Sequence, residues 1–448
     1  MDPRPDAPRP DAPPTGRPAT PLVVAVDMGY GHVRAARPIA RALGAAVTLV
    51  DQPPLVGPEE RKVWDRVRSA YEWTSRASQL PWVGGPFRWA LDSITDIPHL
   101  HPYRDLSAPT RGVATLDRLV RRELGRGLVE RLRETGAPLV TTFYSPAIAA
   151  DAAGIPDVWC VVTDSDINRV WAPLDAAATR IRYLVPSPRA GRRLRSYGVP
   201  EDRITFTGFP LPHELLGGRD LPALRRNLAA RLLRLDPGGA FLRDHQDEVA
   251  HFLGALPFAE PPGPPTVTFA VGGAGAQAGM AAAFLPGMRG AIEEGRVRLA
   301  LVAGVRAAVA DRFREEVRRA GLEGALGRGL EILETQGLEE YFDRFDALLA
   351  RTDVLWTKPS ELSFYAALGL PLVFASPVGV HERYNRRWVR ESGAALVQRH
   401  PAAAWQWLSD WLEDGTLAAA AWSGFTRLPK HGLYRILDLV APPVVVEG

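Results

Sequence analysis

The sequence contains few lysines and almost no cysteine. Of its 54 basic residues only Lys62, Lys358 and Lys430 are lysines, so a lysine inside a motif is informative in a way that an arginine is not. Cys160 is the single cysteine, which excludes an intramolecular disulfide. Its neighbours in VWCVV offer no base for thiolate chemistry. We predict a buried core thiol and a reducing, cytoplasmic setting.

The chain also lacks a dominant sign of charge. Its 54 basic and 51 acidic residues leave a net charge of +3, although the preponderance of arginine raises the sequence pI to about 9.1. Proteins that bind nucleic acid usually carry a pronounced basic excess. We therefore expect no nucleic-acid partner.

No apolar run indicates a secretory signal or a membrane span. Residues 1–20 are dominated by proline, aspartate and arginine, so we predict a disordered tail there. The uncharged stretch Pro261–Met288 is long enough to cross a bilayer, but it opens with PPGPP and is rich in alanine and glycine. We interpret it as a buried strand followed by a glycine loop and a helix.

Apolar strands alternate with amphipathic helices in both halves of the chain. With 448 residues, 46% of them apolar, the chain is long enough for two domains. The strands predicted in the first half are Leu22–Asp27, Ala46–Asp51, Pro138–Phe143, Val158–Thr163 and Ile181–Val185. Those predicted in the second half are Thr266–Val271, Val297–Ala303, Leu330–Leu333, Asp353–Trp356 and Leu372–Ala375.

A charged helical connector separates the two series. We place a first domain at 21–210, the connector at 211–265, a second domain at 266–400 and C-terminal helices at 401–448. The predicted fold class is α/β, with two Rossmann-like doubly wound domains that face a cleft. The carboxyl ends of both sheets are expected at this cleft, where open α/β sheets bind ligands.

The segment Trp356–Asn385 has the pattern of an anion-binding turn. Lys358, Pro359 and Ser360 follow a strand and precede a predicted helix, whose first N–H groups carry positive partial charge. A lysine beside such a turn favours a phosphate ligand. The residues alone also fit a simpler interpretation, in which Ser360 caps the helix and Lys358 is solvated.

Several motifs, taken in order, resemble those of GT-B glycosyltransferases. They are Gly29-Tyr30-Gly31-His32, Thr163-Asp164 with Trp171, Thr207-Gly208-Phe209-Pro210, Gly272-Gly273-Ala274-Gly275, TKPSELSFYAALGLPLV and HERYN. The resemblance is to the branch that holds processive diacylglycerol glucosyltransferases, monogalactosyldiacylglycerol synthases and the peptidoglycan lipid-linked N-acetylglucosaminyltransferase. It covers most of residues 22–400.

The resemblance implies an acceptor site in the first half. The loop of Gly29 and Gly31 places His32 where family members have the base that activates the acceptor hydroxyl, a role that suits imidazole. The residues alone also fit a turn with steric glycines and a capping histidine. Asp164 matches a polar residue near the acceptor, and it could equally cap the next helix.

The resemblance implies a donor site for a nucleotide-diphosphate sugar, with a uridine nucleotide expected, in the second half. The positions that match are Gly272, Gly273, Gly275, Gln277, Lys358, Pro359, Ser360, Ser363, His381, Glu382 and Asn385. Their expected task is to neutralise the leaving diphosphate. No cofactor or metal is implied, since the sugar nucleotide is a co-substrate and helix dipoles with Lys358 can take its charge.

Four residues depart from the family pattern. Glu361 replaces a glycine of the turn, Ala366 stands where an acidic residue binds the donor ribose, His381 replaces a glutamine, and Asn168 replaces a histidine. These departures favour an alternative, a catalytically degenerate GT-B protein that binds a nucleotide or polyanion. A second alternative is a nucleotide-sugar epimerase, although no acid and base pair could be placed for it.

Residues 60–92 mix aromatic and basic side chains. This composition fits a helix in a membrane interface as well as an amphipathic helix that faces the core. We interpret the arginines of Arg189–Arg195 as a solvated helix face. The prediction is a hexosyltransferase acting on a lipid or other hydrophobic hydroxyl acceptor, in the cytoplasm or peripheral to the membrane, with no indication of oligomeric state.

Overall fold

The computed structural model describes residues 19–65, 97–122, 124–254, 263–271, 277–375 and 380–441. These residues form two six-stranded parallel sheets, each flanked by helices. The fold class predicted from the sequence, two Rossmann-like domains, is confirmed. Because every strand pairing is parallel and each sheet is covered on both faces, the strands are almost uniformly apolar.

The first sheet has the strand order β2-β1-β3-β4-β5-β6. Its strands are β1 Leu22–Ala25, β2 Val47–Leu49, β3 Leu139–Thr141, β4 Val158–Val161, β5 Arg182–Val185 and β6 Ile204–Phe206. The helices of this half are α1 Tyr30–Ala42, α2 Arg111–Arg121, α3 Arg126–Thr135, α4 Tyr144–Ala152 and α5 Pro188–Ser196. The next three, α6 His213–Leu216, α7 Pro222–Leu235 and α8 Leu242–Leu253, lead towards the second sheet.

The second sheet has the strand order β12-β11-β10-β7-β8-β9. Its strands are β7 Thr266–Ala270, β8 Arg298–Gly304, β9 Leu330–Glu334, β10 Val354–Thr357, β11 Leu372–Phe374 and β12 Ala395–Val397. Its helices are α9 Met280–Glu293, α10 Ala307–Arg319, α11 Leu338–Arg351 and α12 Val380–Glu391. The chain then continues through α13 Ala404–Glu413, α14 Thr416–Arg427 and α15 Gly432–Val440.

Each sheet reverses its strand order at one point. In the first sheet the reversal lies between β1 and β3, and in the second it lies between β7 and β10. Loops that follow the strands on either side of such a point diverge and leave a crevice for a ligand. The loop of His32 follows β1, and Lys358 follows β10 directly. The fold therefore places both predicted motifs at a reversal point.

Some local predictions need correction. Glu361–Leu368 forms a 3-10 helix of eight residues instead of an α-helix. The pattern of Trp356–Asn385 predicts strand, turn, helix, strand and then a loop, but Glu382 and Asn385 lie within α12. Two edge strands, β6 and β12, were not predicted, because three residues carry too little periodicity to be recognised.

The C-terminal helices join the two domains. The guanidinium of Arg435 on α15 donates to the carbonyl oxygen of Thr207 at 3.3 Å, and Arg219 forms an ion pair with Asp438 at 2.6 Å.

Within the described part of the chain, no helix is both long and apolar enough to cross a membrane.

Two buried groups test the sequence interpretation of the first domain. Cys160 lies in the core, as predicted, and burial raises the pKa of its thiol far above its usual range. Arg193, by contrast, was expected on a solvated face and is fully buried. It binds both carboxylate oxygens of buried Asp166, at 2.8 and 3.0 Å, and Arg189 binds the same carboxylate. The carboxylate compensates the charge of the guanidinium, which makes its burial possible.

Candidate functional site

His32 lies in the first turn of α1, at the reversal point of the first sheet. Its Nδ1 is 2.8 Å from the backbone carbonyl oxygen of Thr142, which follows β3, and 3.4 Å from the hydroxyl of Thr163. A carbonyl oxygen only accepts, so in the neutral ring Nδ1 carries the proton and Nε2 carries the lone pair. The hydroxyl of Thr142 donates back to the carbonyl oxygen of His32 at 2.9 Å. The imidazole is thus oriented by its own domain.

Aromatic rings form one wall beside His32. Phe143 makes an edge contact with the imidazole at a centroid distance of 4.8 Å, Tyr144 lies 4.2 Å from Phe143, and Trp171 lies 5.4 Å from Tyr144. Two buried polar atoms on the same elements, Ser145 Oγ and Asn168 Oδ1, have no hydrogen-bond partner among the described residues. A wall of this composition suits an apolar molecule that carries hydroxyl groups.

The predicted donor turn, Lys358–Ser360, pairs its lysine with an acidic residue. Lys358 Nζ donates to Glu382 Oε1 at 2.6 Å, and both side chains are largely buried. The hydroxyl of Ser360 accepts from the backbone N–H of Leu362 at 3.4 Å, so it begins the 3-10 helix. Ser360 therefore caps the helix, as the simpler interpretation of the sequence had it. Lys358, which follows the preceding strand directly, is paired with Glu382 and largely buried instead of solvated.

Asn385 binds the opposite domain. Its Oδ1 accepts from the backbone N–H and from the hydroxyl of Ser165, at 2.9 and 2.7 Å, and its Nδ2 donates to Asp164 at 3.0 Å. Only 1% of the residue is exposed. Asp164 is thus held by Asn385 and does not cap the following helix, whose first turn begins after Asn168. In this arrangement the pair closes the cleft instead of facing an open site.

Glu361 reaches across the cleft from the donor turn. Its Oε1 is 3.3 Å from Arg34 Nε on α1, and its Oε2 lies 3.2 Å from the point that a Cβ at Gly31 would occupy. The absence of a side chain at Gly31 is therefore what admits this carboxylate. The sequence left its direction open, and the structure directs it towards α1.

The remaining predicted donor residues are less exposed to the cleft. Ser363 is fully buried, and its hydroxyl has no hydrogen-bond partner among the described residues. Ala366 is also buried, and its carbonyl oxygen packs on Gly424 of α14. Gln277 lies at the start of the described chain after β7 and is 9% exposed. Gly272, Gly273 and Gly275, and the side chain of His381, lie outside the described residues.

Sequence reasoning missed the contacts between α1 and α11. Arg34 is buried against the rings of Tyr341, Phe342, Phe345 and Tyr365, at 4.7 to 5.9 Å from their centroids. One turn on, Arg37 binds Glu339, Asp343 and Asp346. A signal was available, because two arginines interrupt the apolar face of α1 while acidic residues recur at helical spacing on α11.

Burial affects the acidic members of this contact unequally. Asp346 is nine-tenths buried, and burial raises its pKa to about 7, even though Arg34 and Arg37 act to lower it. Asp343 is half exposed, and hydrogen bonds from Arg37 and Arg41 outweigh its slight burial and hold its pKa below the usual range. The domain contact therefore contains one carboxyl group that titrates near neutral pH.

The overall arrangement matches known structures. MurG of Acinetobacter baumannii superposes with a TM-score of 0.50 at 13% identity, over 93% of this chain and 98% of that chain. The chain has the GT-B fold. MnaA of S. aureus with UDP superposes with a TM-score of 0.49 at 12% identity, over 93% of this chain and 94% of that chain. UDP-GlcNAc 2-epimerase of Neisseria meningitidis, bound to UDP-GlcNAc, superposes with a TM-score of 0.46 at 11% identity, over 93% of this chain and 98% of that chain. No protein-family model and no curated protein matches the sequence.

Proposed function

We propose that this GT-B protein transfers a hexosyl group from a nucleotide-diphosphate sugar, a uridine nucleotide in the first instance, to a hydroxyl of a lipid or other hydrophobic acceptor. One observation carries the proposal. Glu361, next to Ser360 of the anion turn, lies against Gly31, next to His32. The turn of His32 and the turn of Lys358 therefore meet across the cleft, so that a base and a leaving-group site can act on one bound substrate.

His32 has the chemistry of the acceptor's base. With Nδ1 bound to the carbonyl of Thr142, Nε2 is the atom that takes the hydroxyl proton as the acceptor oxygen attacks the anomeric carbon. The new bond joins that oxygen to the anomeric carbon. The bond between the anomeric carbon and the diphosphate oxygen breaks, and its electron pair leaves with the nucleoside diphosphate. The proton then passes from Nε2 to solvent.

Lys358 is the group that receives the leaving diphosphate. In the described structure its ammonium is bound to Glu382, so a bound diphosphate would share or replace that carboxylate. The exchange conserves charge pairing around the lysine, which keeps a partly buried cation compensated in both states. Glu382 in this interpretation holds Lys358 in place before the donor arrives.

The lipid character of the acceptor rests on the aromatic wall and on the motif resemblance. Phe143, Tyr144 and Trp171 give the His32 side of the cleft an apolar surface. Contact with a membrane surface would follow from such an acceptor. The segment 60–92, on which the sequence prediction of membrane contact depended, lies mostly outside the described residues, and Trp64 at its start is buried.

A non-catalytic nucleotide-binding protein is the second candidate. The pairing of Lys358 with Glu382 and of Arg34 with Glu361 favours it, because a cation that is already paired with a carboxylate stabilises the charge of a leaving group less. Such a protein would bind the nucleotide and leave the sugar in place.

Calorimetric titration with UDP, followed by an assay of UDP-sugar hydrolysis, tests the proposal. We expect the wild-type protein to bind UDP and Lys358→Ala to bind it at least about tenfold more weakly, as for loss of a charged hydrogen bond. Lys62→Ala, which removes an exposed lysine paired with Glu59, is the matched control. No UDP binding, or equal binding by wild type and Lys358→Ala, would refute the donor site. Binding without turnover of any UDP-sugar would select the second candidate.

A further inference from the structure

We propose that Glu361 is an acceptor-specificity residue, which restricts the acceptor to molecules that carry no anionic group beside the hydroxyl that is glycosylated. The inference rests on the proposed function, because it concerns the acceptor side of the same cleft. It narrows the class of acceptor from hydrophobic molecules that carry a hydroxyl group to those that are also uncharged.

The first turn of α1 is the natural anion position on the acceptor side. Its N–H groups carry positive partial charge, and Gly29, which precedes the helix with a φ of 101°, supplies no capping side chain. His32 lies in the same turn. An acceptor with a phosphate next to its reactive hydroxyl would bring that phosphate to this turn.

Glu361 already places a carboxylate beside this turn. Its Oε2 lies 3.2 Å from the point that a Cβ at Gly31 would occupy, so the carboxylate is packed against the backbone of the turn. Arg34 holds it there through the 3.3 Å contact between Nε and Oε1. Arg34 in turn is fixed by the ring stack of α11 and by its hydrogen bond to the hydroxyl of Tyr341 at 3.1 Å. The carboxylate is thus a built feature of the cleft.

A second anion at this turn would meet uncompensated repulsion. Arg34 is buried, its Nε and Nη2 are bound to Glu361 and Tyr341, and its remaining Nη1 is shielded from solvent, while Lys358 is paired with Glu382. Like charges a few ångströms apart in a partly buried site are strongly unfavourable. An uncharged acceptor meets no such cost.

The test compares two amphiphiles that differ only by a phosphate, 1-O-octylglycerol and 1-O-octylglycerol 3-phosphate. Each is titrated calorimetrically below its micelle concentration into the full chain. We expect wild type to bind the neutral compound about tenfold or more tightly, from the repulsion of one partly screened like charge. Glu361→Gln keeps an oxygen for Arg34 and removes the charge, so the preference should fall to less than about threefold, through tighter binding of the phosphate.

Glu339→Gln is the matched control, because Glu339 is an exposed carboxylate that pairs with Arg37, one turn further along α1. It should leave the preference unchanged. Equal or tighter binding of the phosphate compound by wild type, binding of neither compound, or an unchanged preference in Glu361→Gln would overturn the proposal. The wild-type comparison suffices if the variant does not fold. These titrations measure the binding of the acceptor. Their outcome is therefore separate from that of the UDP titration and the hydrolysis assay, which test the proposed function.

Discussion

The two sides of the cleft differ in what holds their polar residues. On the first-domain side, His32 is oriented by Thr142 and Thr163, which follow two strands of the same sheet. On the second-domain side, Asn385 and Glu361 are bound by residues of the opposite domain. The imidazole is therefore held by contacts within one domain, whereas Asn385 and Glu361 are held by contacts between the domains.

This difference indicates which side responds to a ligand. GT-B folds consist of two separate sheets, and contacts between domains are the ones that change when domains move. Under the proposed function, a ligand that enters the cleft would compete with Glu382 for Lys358 and alter the distance that Asn385 spans. The His32 side should stay unchanged in the same process. Three predictions examine the two sides separately.

The largest expected effect belongs to the preorganised side. His32→Ala removes the proton acceptor, and the rate of sugar transfer, measured as kcat, should fall by roughly 10²- to 10⁴-fold. The affinity for UDP, measured by calorimetry, should stay within about twofold, because the donor groups lie in the other domain.

His213→Ala serves as the control for this variant. His213 binds the hydroxyl of Tyr434 at 3.1 Å, in the contact between α6 and α15. It should retain the wild-type kcat. Unchanged turnover in His32→Ala would remove His32 from the mechanism, and a joint loss of turnover and UDP affinity would show that the two sides are not independent.

The second prediction concerns the contact that depends on closure. Asn385→Ala leaves the N–H and hydroxyl of Ser165 without their acceptor, and we expect a loss of about 1–3 kcal/mol in the free energy of unfolding. Urea denaturation followed by tryptophan fluorescence measures it. Asn227→Ala, at a half-buried position on α7, is the control and should change stability by no more than about 0.5 kcal/mol.

If Asn385→Ala were as stable as wild type, the contact between α12 and the loop after β4 would add nothing to domain closure. The comparison between the two sides would then rest on Glu361 and Arg34 alone.

The sequence predicted the side that is built locally. The βαβ pattern around β1 and β3 predicted that the His32 loop lies at the mouth of the sheet, because hydrophobic periodicity and glycine turns are local properties. The same holds for Lys358 after β10 and for the start of α5, where a serine N-cap followed by proline, Ser187-Pro188, is a local signal of a helix start. Edge strands and helix ends were predicted less well, since a three-residue strand has little pattern.

Contacts between the domains could not be predicted in this way. Ser165 and Asn385 are separated by 220 residues, and Arg34 and Glu361 by 327. No periodicity in one segment specifies which distant segment it meets. Arg193 shows the same limit within one domain, because its burial depends on Asp166, 27 residues away. The direction of the Glu361 side chain therefore became known only from the packed structure.

The smallest effect is expected at the far end of the domain contact, where Asp346 of α11 meets Arg37 of α1. Burial raises the pKa of Asp346 to about 7 from an ordinary value of 3.8. The folded state therefore binds this proton more tightly than the unfolded state. Its stabilising contribution is complete below about pH 4 and is lost as the pH rises through about 7, with a slope of at most about 1.4 kcal/mol per pH unit.

Asp346→Asn removes this titration, so the stability of wild type relative to the variant should decline between pH 5 and 8 in urea denaturation. Asp343→Asn is the contrasting control, since the pKa of Asp343 is lowered and its contribution is constant over that range, being lost only in acid. A parallel decline in both comparisons would assign the slope to another group. A flat difference for Asp346 would mean that Arg37, at 3.4 Å, keeps the carboxyl group ionised in spite of its burial.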